Sequence, residues 1–528
     1  MKKIILLIIV LFSPFTVAFA QAPSILWQRV AEGINQETGH VAIATTDGGF
    51  ISAGRSMSTN GGFAGNHGDF DVVVIKYDSE GNELWQKMLG GSERDLVVDG
   101  VATADAGCVL VGRTESNNGD MTGNHGGYDG FILKLDSTGT VQWTRIIGGS
   151  QSDFTDSIEQ TPEGGYLVGL STSSTDGDAF PTAGPSPRAL TMRLNSSGAT
   201  TWQGFQDLNN YFAESIAVSQ STDGGCITVF PKSQTMPYIN GSTSTYYLDI
   251  YAVKYDAAGN LVWSRFYGGI FQDTPVDVQA TADGGFIILG DSSSNDRDVS
   301  GHHGPAGMSD GSSPDLWVVK LDAAGDIAWQ KSLGGTSIEN PDGIKQTADG
   351  GYILTGTTYS YNGDVTGNHG SWFNAAPDVW VVKLSAAGAI QWTRCYGGTS
   401  YEYGGGMAVA PDNGYIISGM SSSIDGDLDA TYGNGDMWTL RLAPDPLDTG
   451  EFIAYSSISV SPNPADDYVH IASDSTVFGA DIFSMSGQKI ISVSGHVSDI
   501  ALQQLPAGVY LLKIATTAGA LTKRIIKK

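Results

Sequence analysis

The sequence predicts an all-β chain: a seven-bladed β-propeller closed by its own N-terminal strand, followed by a small Ig-like β-sandwich. Three observations predict it. Three short phrases recur seven times in a fixed order. The chain is only 16% charged and carries 70 Gly in 528 residues, which suits many tight turns and excludes long Glu/Lys-rich helices. The two ends of the repeating region complete each other.

The first phrase carries a tryptophan. Trp27, Trp85, Trp143, Trp202, Trp263, Trp329 and Trp392 recur at intervals of 58 to 66 residues. After each comes a phrase such as TTDGGFISAG or TADGGYILTG, and then one such as DVVVIKYD or DVWVVKLS. Each unit therefore reads as four strands. One precedes the Asp-Gly-Gly turn, one follows it, one surrounds Lys76 or its equivalents, and one holds the Trp. Asp78-Ser79-Glu80-Gly81 and its counterparts join the last two as hairpins. A lone unit buries neither face, so neighbours must stack. The region opens with a single Trp strand at residues 24–30 and ends, after DMWTLRL, without one. The N-terminal strand is expected to complete the seventh unit. The turn before each Trp, such as Asp322-Ala323-Ala324-Gly325, is similar to the Trp-docking turn of quinoprotein dehydrogenase propellers. It is one residue shorter and lacks the usual Thr, so the resemblance concerns fold and not a quinone.

Lys2 and Lys3, the apolar run Ile4 to Leu11 and the small-x-small Ala18-Phe19-Ala20 read as a signal peptide over residues 1–20. No later apolar run is long enough for a membrane helix, so no transmembrane segment is expected in the mature chain. The net charge of −28 repels nucleic acid and anionic lipid and is compatible with divalent cations. Cys108 and Cys226 stand where other units have Phe50, Tyr166, Phe286, Tyr352 and Tyr415, so they read as core fillers and not as a disulfide framework.

Charges recur too. Lys76, Lys134, Arg193, Lys254, Lys320, Lys383 and Arg441 lie in the third strand. Arg29, Lys87, Arg145, Arg265, Lys331 and Arg394 follow the Trp by two residues. Asp95, Asp153, Asp273, Glu339 and Glu402 follow a Gly-Gly pair. A charge present in nearly every unit is explained by the repeat, so these are expected to be frame.

Function is expected in the long loops between second and third strands, at about 57–70, 115–128, 171–188, 231–248, 291–314, 359–377 and 421–435. Several share a phrase: Asn118-Gly119-Asp120 and Asn362-Gly363-Asp364 begin its fullest copies, and Asp176 and Asp178, Asp296 and Asp298, Asp425 and Asp427 its partial ones. Two readings fit: oxygen ligands for Ca²⁺, or Asx turns that order a polar loop. No cofactor beyond this calcium is implied. His67, His125, His302, His303 and His369 follow the repeat and read as hydrogen-bonding residues, with metal or catalytic roles as the competitor. Tyr238, Tyr246 and Tyr247 in the fourth unit, and Tyr359, Tyr361 and Trp372 in the sixth, suit a sugar or peptide ligand, or anchor their loops. No nucleophile elbow, zinc helix or P-loop occurs in the sequence.

After Asp445 the pattern stops. The repeating region spans 21–445, a linker 446–457 and a last domain 458–528. In that domain Ser461-Pro462-Asn463-Pro464-Ala465, then Ile482 to Gly487-Gln488, then Leu505-Pro506-Ala507-Gly508-Val509-Tyr510, then Lys523-Arg524 to Lys527-Lys528 occur in order. This resembles the type A C-terminal sorting domain of type IX secretion substrates in Bacteroidota. The resemblance implies signal-peptide passage to the periplasm, recognition by the type IX machinery, removal by a sortase-like peptidase, and release or surface attachment. The expected function is an exported binding protein whose loop face meets an extracellular glycan, peptide or protein. An extracellular polysaccharide hydrolase or lyase, and a structural surface protein, are the alternatives.

Overall fold

The computed structural model describes residues 21–31, 33–178, 187–208, 213, 215–236, 245–304, 313–370, 376–428, 435–445, 459–472, 477–484, 489–495, 497–516 and 519–528. The expected signal peptide and linker lie outside them. The chain divides into two units, Met1–Pro444 and Asp445–Lys528. Both are β-structure; the one helical turn among the described residues is the 3-10 turn Gly61–Phe63.

The first unit consists of antiparallel sheets in chain order, as propeller blades are built. Sheet 1 is Glu37–Ala44, Phe50–Ser56, Asp71–Tyr77 and Glu83–Leu89. Sheet 2 is Asp95–Ala102, Cys108–Thr114, Asp129–Leu135 and Val141–Ile147. Sheet 3 is Asp153–Gln160, Tyr166–Thr172, Arg188–Leu194 and Thr200–Asp207. Sheet 4 is Ala217–Gln220, Cys226–Met236, Thr245–Tyr255 and Leu261–Tyr267. Sheet 5 is Asp273–Ala280, Phe286–Ser292, Asp315–Leu321 and Ile327–Leu333. Sheet 6 is Glu339–Gln346, Tyr352–Thr358, Asp378–Leu384 and Ile390–Tyr396. Sheet 7 takes Glu402–Tyr403 with Met407–Val409, then Tyr415–Ser421 and Asp436–Leu442; its outer strand is Ile25–Ala31, paired antiparallel to Asp436–Leu442.

First strands lie beside first strands from sheet to sheet. Met407–Val409 of sheet 7 neighbours both Glu339–Gln346 of sheet 6 and Glu37–Ala44 of sheet 1. These inner strands share no ladder, so side chains lace them. Asp99 Oδ2 accepts the Ile158 N–H (2.8 Å), Glu159 Oε2 that of Gln220 (3.0 Å), Ser219 Oγ that of Ala280 (2.9 Å) and Asp277 Oδ2 that of Ile344 (2.9 Å). Each bond ties one sheet to the next.

The recurring tryptophans work between sheets. Trp27 packs against Phe50 of sheet 1 and donates to the Ser79 carbonyl (3.2 Å), while Trp85 donates to Ser137 of sheet 2 (2.9 Å). A Cβ on Gly81 would meet the Trp27 ring at 2.5 Å, and Gly81 has φ +79°, so the last residue of that turn must be glycine. The Trp-docking turn therefore receives the Trp of the preceding sheet. Arg29 and Arg145 reach the same turns, at the Gly81 and Gly198 carbonyls. The third-strand cations are buried and bind the Asp of their own Asp-Gly-Gly turn: Lys76 to Asp47 (3.0 Å), Lys134 to Asp105 (2.8 Å), Lys254 to Asp223 (2.9 Å), Lys320 to Asp283 (2.9 Å) and Lys383 to Asp349 (2.8 Å). Cys108, Cys226 and Cys395 are free and buried.

One expected loop is corrected. Residues 231–236 and 245–248 are not loop but the extension of an eleven-residue hairpin, with Met236 opposite Thr245. The alternating β-formers Thr235, Thr245 and Tyr247 favour the ladder over an irregular path.

The second unit has two antiparallel sheets: Ser459–Ser461, Tyr468–Ala472 and Asp499–Ala501 in one, and Lys489–Ser494, Val477–Ser484, Gly508–Thr516 and Gly519–Lys527 in the other. Val469, Ile471 and Ile500 from the first share a core with Ile482, Leu512, Ile514 and Ile525 from the second. Among the described residues no helix is long and apolar enough to cross a membrane.

Candidate functional site

The loops between second and third strands lie at the same ends of the sheets as the Gly-Gly connections that lead into each first strand. The Asx phrase pins one to the other. Asn118 Oδ1 accepts from Ser92 N–H (2.8 Å) and Asp120 Oδ2 from Gly90 (3.2 Å). Asp176 accepts from Ser150 (2.8 Å), Asp296 from Ile270 (3.0 Å), Asp298 from Gly268 (3.2 Å), Asn362 from Thr336 (2.9 Å), Asp425 from Thr399 (2.8 Å) and Asp427 from Gly397 (3.4 Å). Asp178 and Asp364 donate their own N–H to the Gly148 and Gly334 carbonyls (3.1 and 2.9 Å). These bonds span 26 to 30 residues and tie each loop to a Gly-Gly connection. Among the described residues no group of three or more His, Cys, Asp or Glu is arranged to hold a metal ion.

The histidines bind carboxylates at the start of the third strands: His67 to Asp71 (2.8 Å), His125 to Asp129 (2.8 Å), His303 to Asp315 (2.8 Å) and His369 to Asp378 (2.7 Å); His302 lies 3.4 Å from Asp315. Sequence reasoning missed these aspartates, though each opens the third repeated phrase. They pair across sheets with the acids already noted: a Cβ on Gly90 would lie 2.6 Å from Asp71 Oδ1 and 2.7 Å from Asp95 Oδ2, so the Gly-Gly chain slips between two carboxylates.

Burial sets their titration. It pushes Asp95 and Asp378 up to about 6 and Asp249, Asp273 and Glu339 up to about 7; it also pushes Asp99 and Asp291 to about 6 and Asp342 to about 8. Asp105, Asp223 and Asp283 sit at about 2: burial raises them, but hydrogen bonds from their turns and from lysine outweigh it. The signs follow. Groups raised in the fold stabilise it below about pH 4 and lose that contribution as pH rises through 6 to 8; the lysine-bound aspartates lose theirs only below about 4. His40, held neutral down to about 4 chiefly by burial, works the other way, one group against eight. The melting temperature of the first unit is therefore expected to be several degrees lower at pH 8 than at pH 5 by calorimetry, with calcium or with a chelator. A rise over that interval would contradict the assignment.

The first strands carry side chains outside the repeat. Lys345 lies 3.0 Å from Asp277; burial opposes its charge, but Asp277, Asp99 and Glu159 outweigh it and raise its pKa. These acids are already bound to backbone N–H groups of the adjoining sheet. Nearer the loops, the penultimate residue of the second strand is Arg55, Arg113, Ser171, Asp291, Thr357 or Met420 in sheets 1, 2, 3, 5, 6 and 7. Arg55 lies over Phe70 (5.0 Å), and Arg113 over Phe154 (4.4 Å) and Tyr128 (5.9 Å). In sheets 6 and 7, Tyr359 Oη is 3.4 Å from Tyr403 Oη, and Tyr403 stacks with exposed Tyr401 at 6.5 Å. Tyr361 donates to the Ala376 carbonyl (3.5 Å). Tyr246 and Tyr247 stand opposite Thr235 and Gln234 in the hairpin; Tyr238 and Trp372 lie outside the described residues. The signal that locates Arg55, Arg113, Tyr401 and Tyr403 is variation at a repeating position.

In the second unit the motif residues meet. Asn463 Oδ1, between Pro462 and Pro464, accepts the Ile526 N–H (2.9 Å), and Ala465 bridges to Lys527. Gly508 opens a strand opposite Lys527, and Tyr510 donates to the Pro506 carbonyl (2.9 Å). Gly487 lies outside the described residues. Residues 459–528 match the family "Secretion system C-terminal sorting domain". The tail is a type IX secretion sorting domain. It marks an exported chain, secreted or displayed at the cell surface, that meets the type IX machinery.

Other likenesses are weaker. The regulatory protein FlaEY of Caulobacter vibrioides is 26% identical over 148 residues, 22% of this chain and 15% of that protein, so the chain spans a small part of that relative. A puromycin hydrolase structure gives a TM-score of 0.39 at 12% identity over 90% of this chain and 58% of its own. A putative gluconolactonase gives 0.30 at 10% over 62% and 88%, and a Synechocystis apocarotenoid oxygenase mutant 0.38 at 12% over 81% and 95%. At these values none of these activities transfers to this chain.

Proposed function

We propose that the first unit is a seven-bladed β-propeller over residues 21–445, closed by the strand Ile25–Ala31, and that it is an extracellular binding module. Residues 1–20 are its signal peptide and 446–457 a linker to an Ig-like sorting sandwich at 458–528. Closure is supported by the pairing of Ile25–Ala31 with sheet 7 and by the neighbouring of sheets 7 and 1. One observation carries the binding role. The third-strand cations are bound into the frame by their turn aspartates, while the non-repeating side chains Arg55, Arg113, Tyr359, Tyr401 and Tyr403 lie at the loop ends of the inner strands. Variation placed on a rigid frame is how a scaffold recognises a partner. The ligand class is a glycan, peptide or protein outside the cell.

The secreted protein is expected to bind on a glycan or protein array, with Tyr401→Ala weakening binding at least fivefold. Release of reducing sugar ends from the same polysaccharides without retention would overturn the reading in favour of a hydrolase.

A further inference from the structure

We propose that the loop ends of sheets 1 to 3 form a site for an oxyanion, a carboxylate, sulfate or phosphate group of the ligand, gripped by Arg55 with Arg94 and Arg113 beside it. This deepens the binding-face reading and rests on it.

The repeat does not demand these arginines. Arg55 and Arg113 occupy one position in adjacent sheets where sheets 3, 6 and 7 have neutral residues and sheet 5 has Asp291. The third-strand lysines recur and bind a turn aspartate; Arg55 and Arg113 stand on second strands, at a position the repeat does not keep. Their setting is aromatic: Phe70 lies under Arg55, Phe154 and Tyr128 under Arg113, and Tyr128 meets Phe154 edge-on at 5.6 Å. Stacking on a ring fixes the plane of the Arg55 guanidinium and presents its N–H edge to a planar or tetrahedral anion. The Arg55 Nε is buried and has no hydrogen-bond partner. A buried donor of this strength without an acceptor marks a place where an acceptor arrives from outside the chain.

The surrounding charge agrees. The ionisable groups that act on Arg55 are Arg113, Arg94 and the Tyr128 hydroxyl, and His40 in turn feels Arg55 and Arg113. The acids of this shelf sit at its exposed end: Asp69 binds Arg94 at 2.9 Å, and Glu115 acts on Tyr128. A chain of net charge −28 has placed three of its scarce guanidinium groups on neighbouring sheets here. The general field repels anions, so selectivity comes from the bidentate geometry of the arginine fork.

The test titrates the full secreted protein with sodium sulfate, sodium phosphate and sodium glucuronate, against sodium chloride at equal ionic strength. Binding is read by calorimetry and by melting temperature. At least one oxyanion is expected to bind saturably and chloride not; the arm that saturates at the lowest concentration identifies the group. Arg55→Gln should weaken that affinity at least tenfold, and Arg55→Lys, which keeps the charge but not the fork, several-fold. Arg265→Gln, on an outer strand, should leave it within twofold. Equal response of Arg55→Lys and the native protein, with both folded by circular dichroism, would overturn the site. So would responses that follow ionic strength alone. If no oxyanion binds but a neutral glycan or peptide protects loop-face amides from hydrogen exchange, the oxyanion site falls and the binding face stands. If nothing protects that face, both fall.

Discussion

Deleting residues 21–31 is expected to abolish cooperative folding of the first unit, or to lower its melting temperature by more than ten degrees. The segment makes a whole strand. Ile25–Ala31 pairs along Asp436–Leu442, and Ser24 accepts the Ala443 N–H (2.9 Å). Without it the third strand of sheet 7 becomes an unpaired edge. The segment also joins sheet 7 to both neighbours. Trp27 packs on Phe50 and Tyr77 of sheet 1, each at 5.8 Å, and Arg29 bonds the Gly81 carbonyl (2.6 Å). Toward sheet 6, Tyr396 Oη donates to the Pro23 carbonyl (3.2 Å), while Ala22 and Ile25 cover the cluster that holds Trp392. Trp392 is nearly sealed, at 2% exposure, because this segment stands where other tryptophans meet a hairpin turn. Loss of one well-packed aromatic costs about 3–5 kcal/mol. Here a strand, two latches and a cover go together, against a total stability of about 5–15 kcal/mol for an ordinary domain. The check is thermal unfolding and size-exclusion elution of the truncated chain, with a synthetic 21–31 peptide added back. Unchanged melting would show that this strand does not close the ring.

The pairing of Ile25–Ala31 with Asp436–Leu442 is legible because the absence of a Trp strand at one end and its presence at the other are both visible in sequence. The frame was legible for the same reason: a residue repeated at fixed spacing, such as Lys76 or Trp85, must serve the unit. What those residues touch was not. Trp85 meets the turn of the next sheet, and period alone does not say whether a contact lies within a unit or across two. The acids Asp71 and Asp129 escaped notice although they repeat, because their partners His67 and His125 are supplied by the loop and the loop varies. The hairpin at 231–236 and 245–248 reads as loop in the sequence, since it departs from every other unit; strand pairing depends on the partner, and a divergent segment offers no second copy to compare. The arginine and tyrosine shelves were hardest. Arg55 has meaning only beside Arg113, Phe70 and Phe154, which come from three sheets.

The second large effect concerns destination. Deleting residues 459–528 is expected to leave the protein in the periplasm, with the extracellular amount reduced at least tenfold and the first unit still folded. Physical independence makes the two outcomes separable. The tail has its own core, built from Val469, Ile482, Ile500, Leu512 and Ile525, and the chain divides at Pro444. Recognition by an export machine needs a presented shape, and this one depends on a contact between the two ends of the domain. Asn463 takes the Ile526 N–H, and Ala465 exchanges backbone bonds with Ile526 and Lys528 (2.7 and 2.9 Å). Asn463→Ala removes an acceptor from a partly exposed pair, a change of about 1 kcal/mol. It is therefore expected to lower extracellular yield a fewfold, between the native level and the deletion. Fractionation and immunoblotting of periplasm, surface and medium would measure all three. Normal surface delivery of the deletion, or an Asn463→Ala defect as complete as the deletion with the domain still folded, would contradict this account. The first result would place the export signal elsewhere; the second would make Asn463 a point of contact with the machinery and not a tie within the fold.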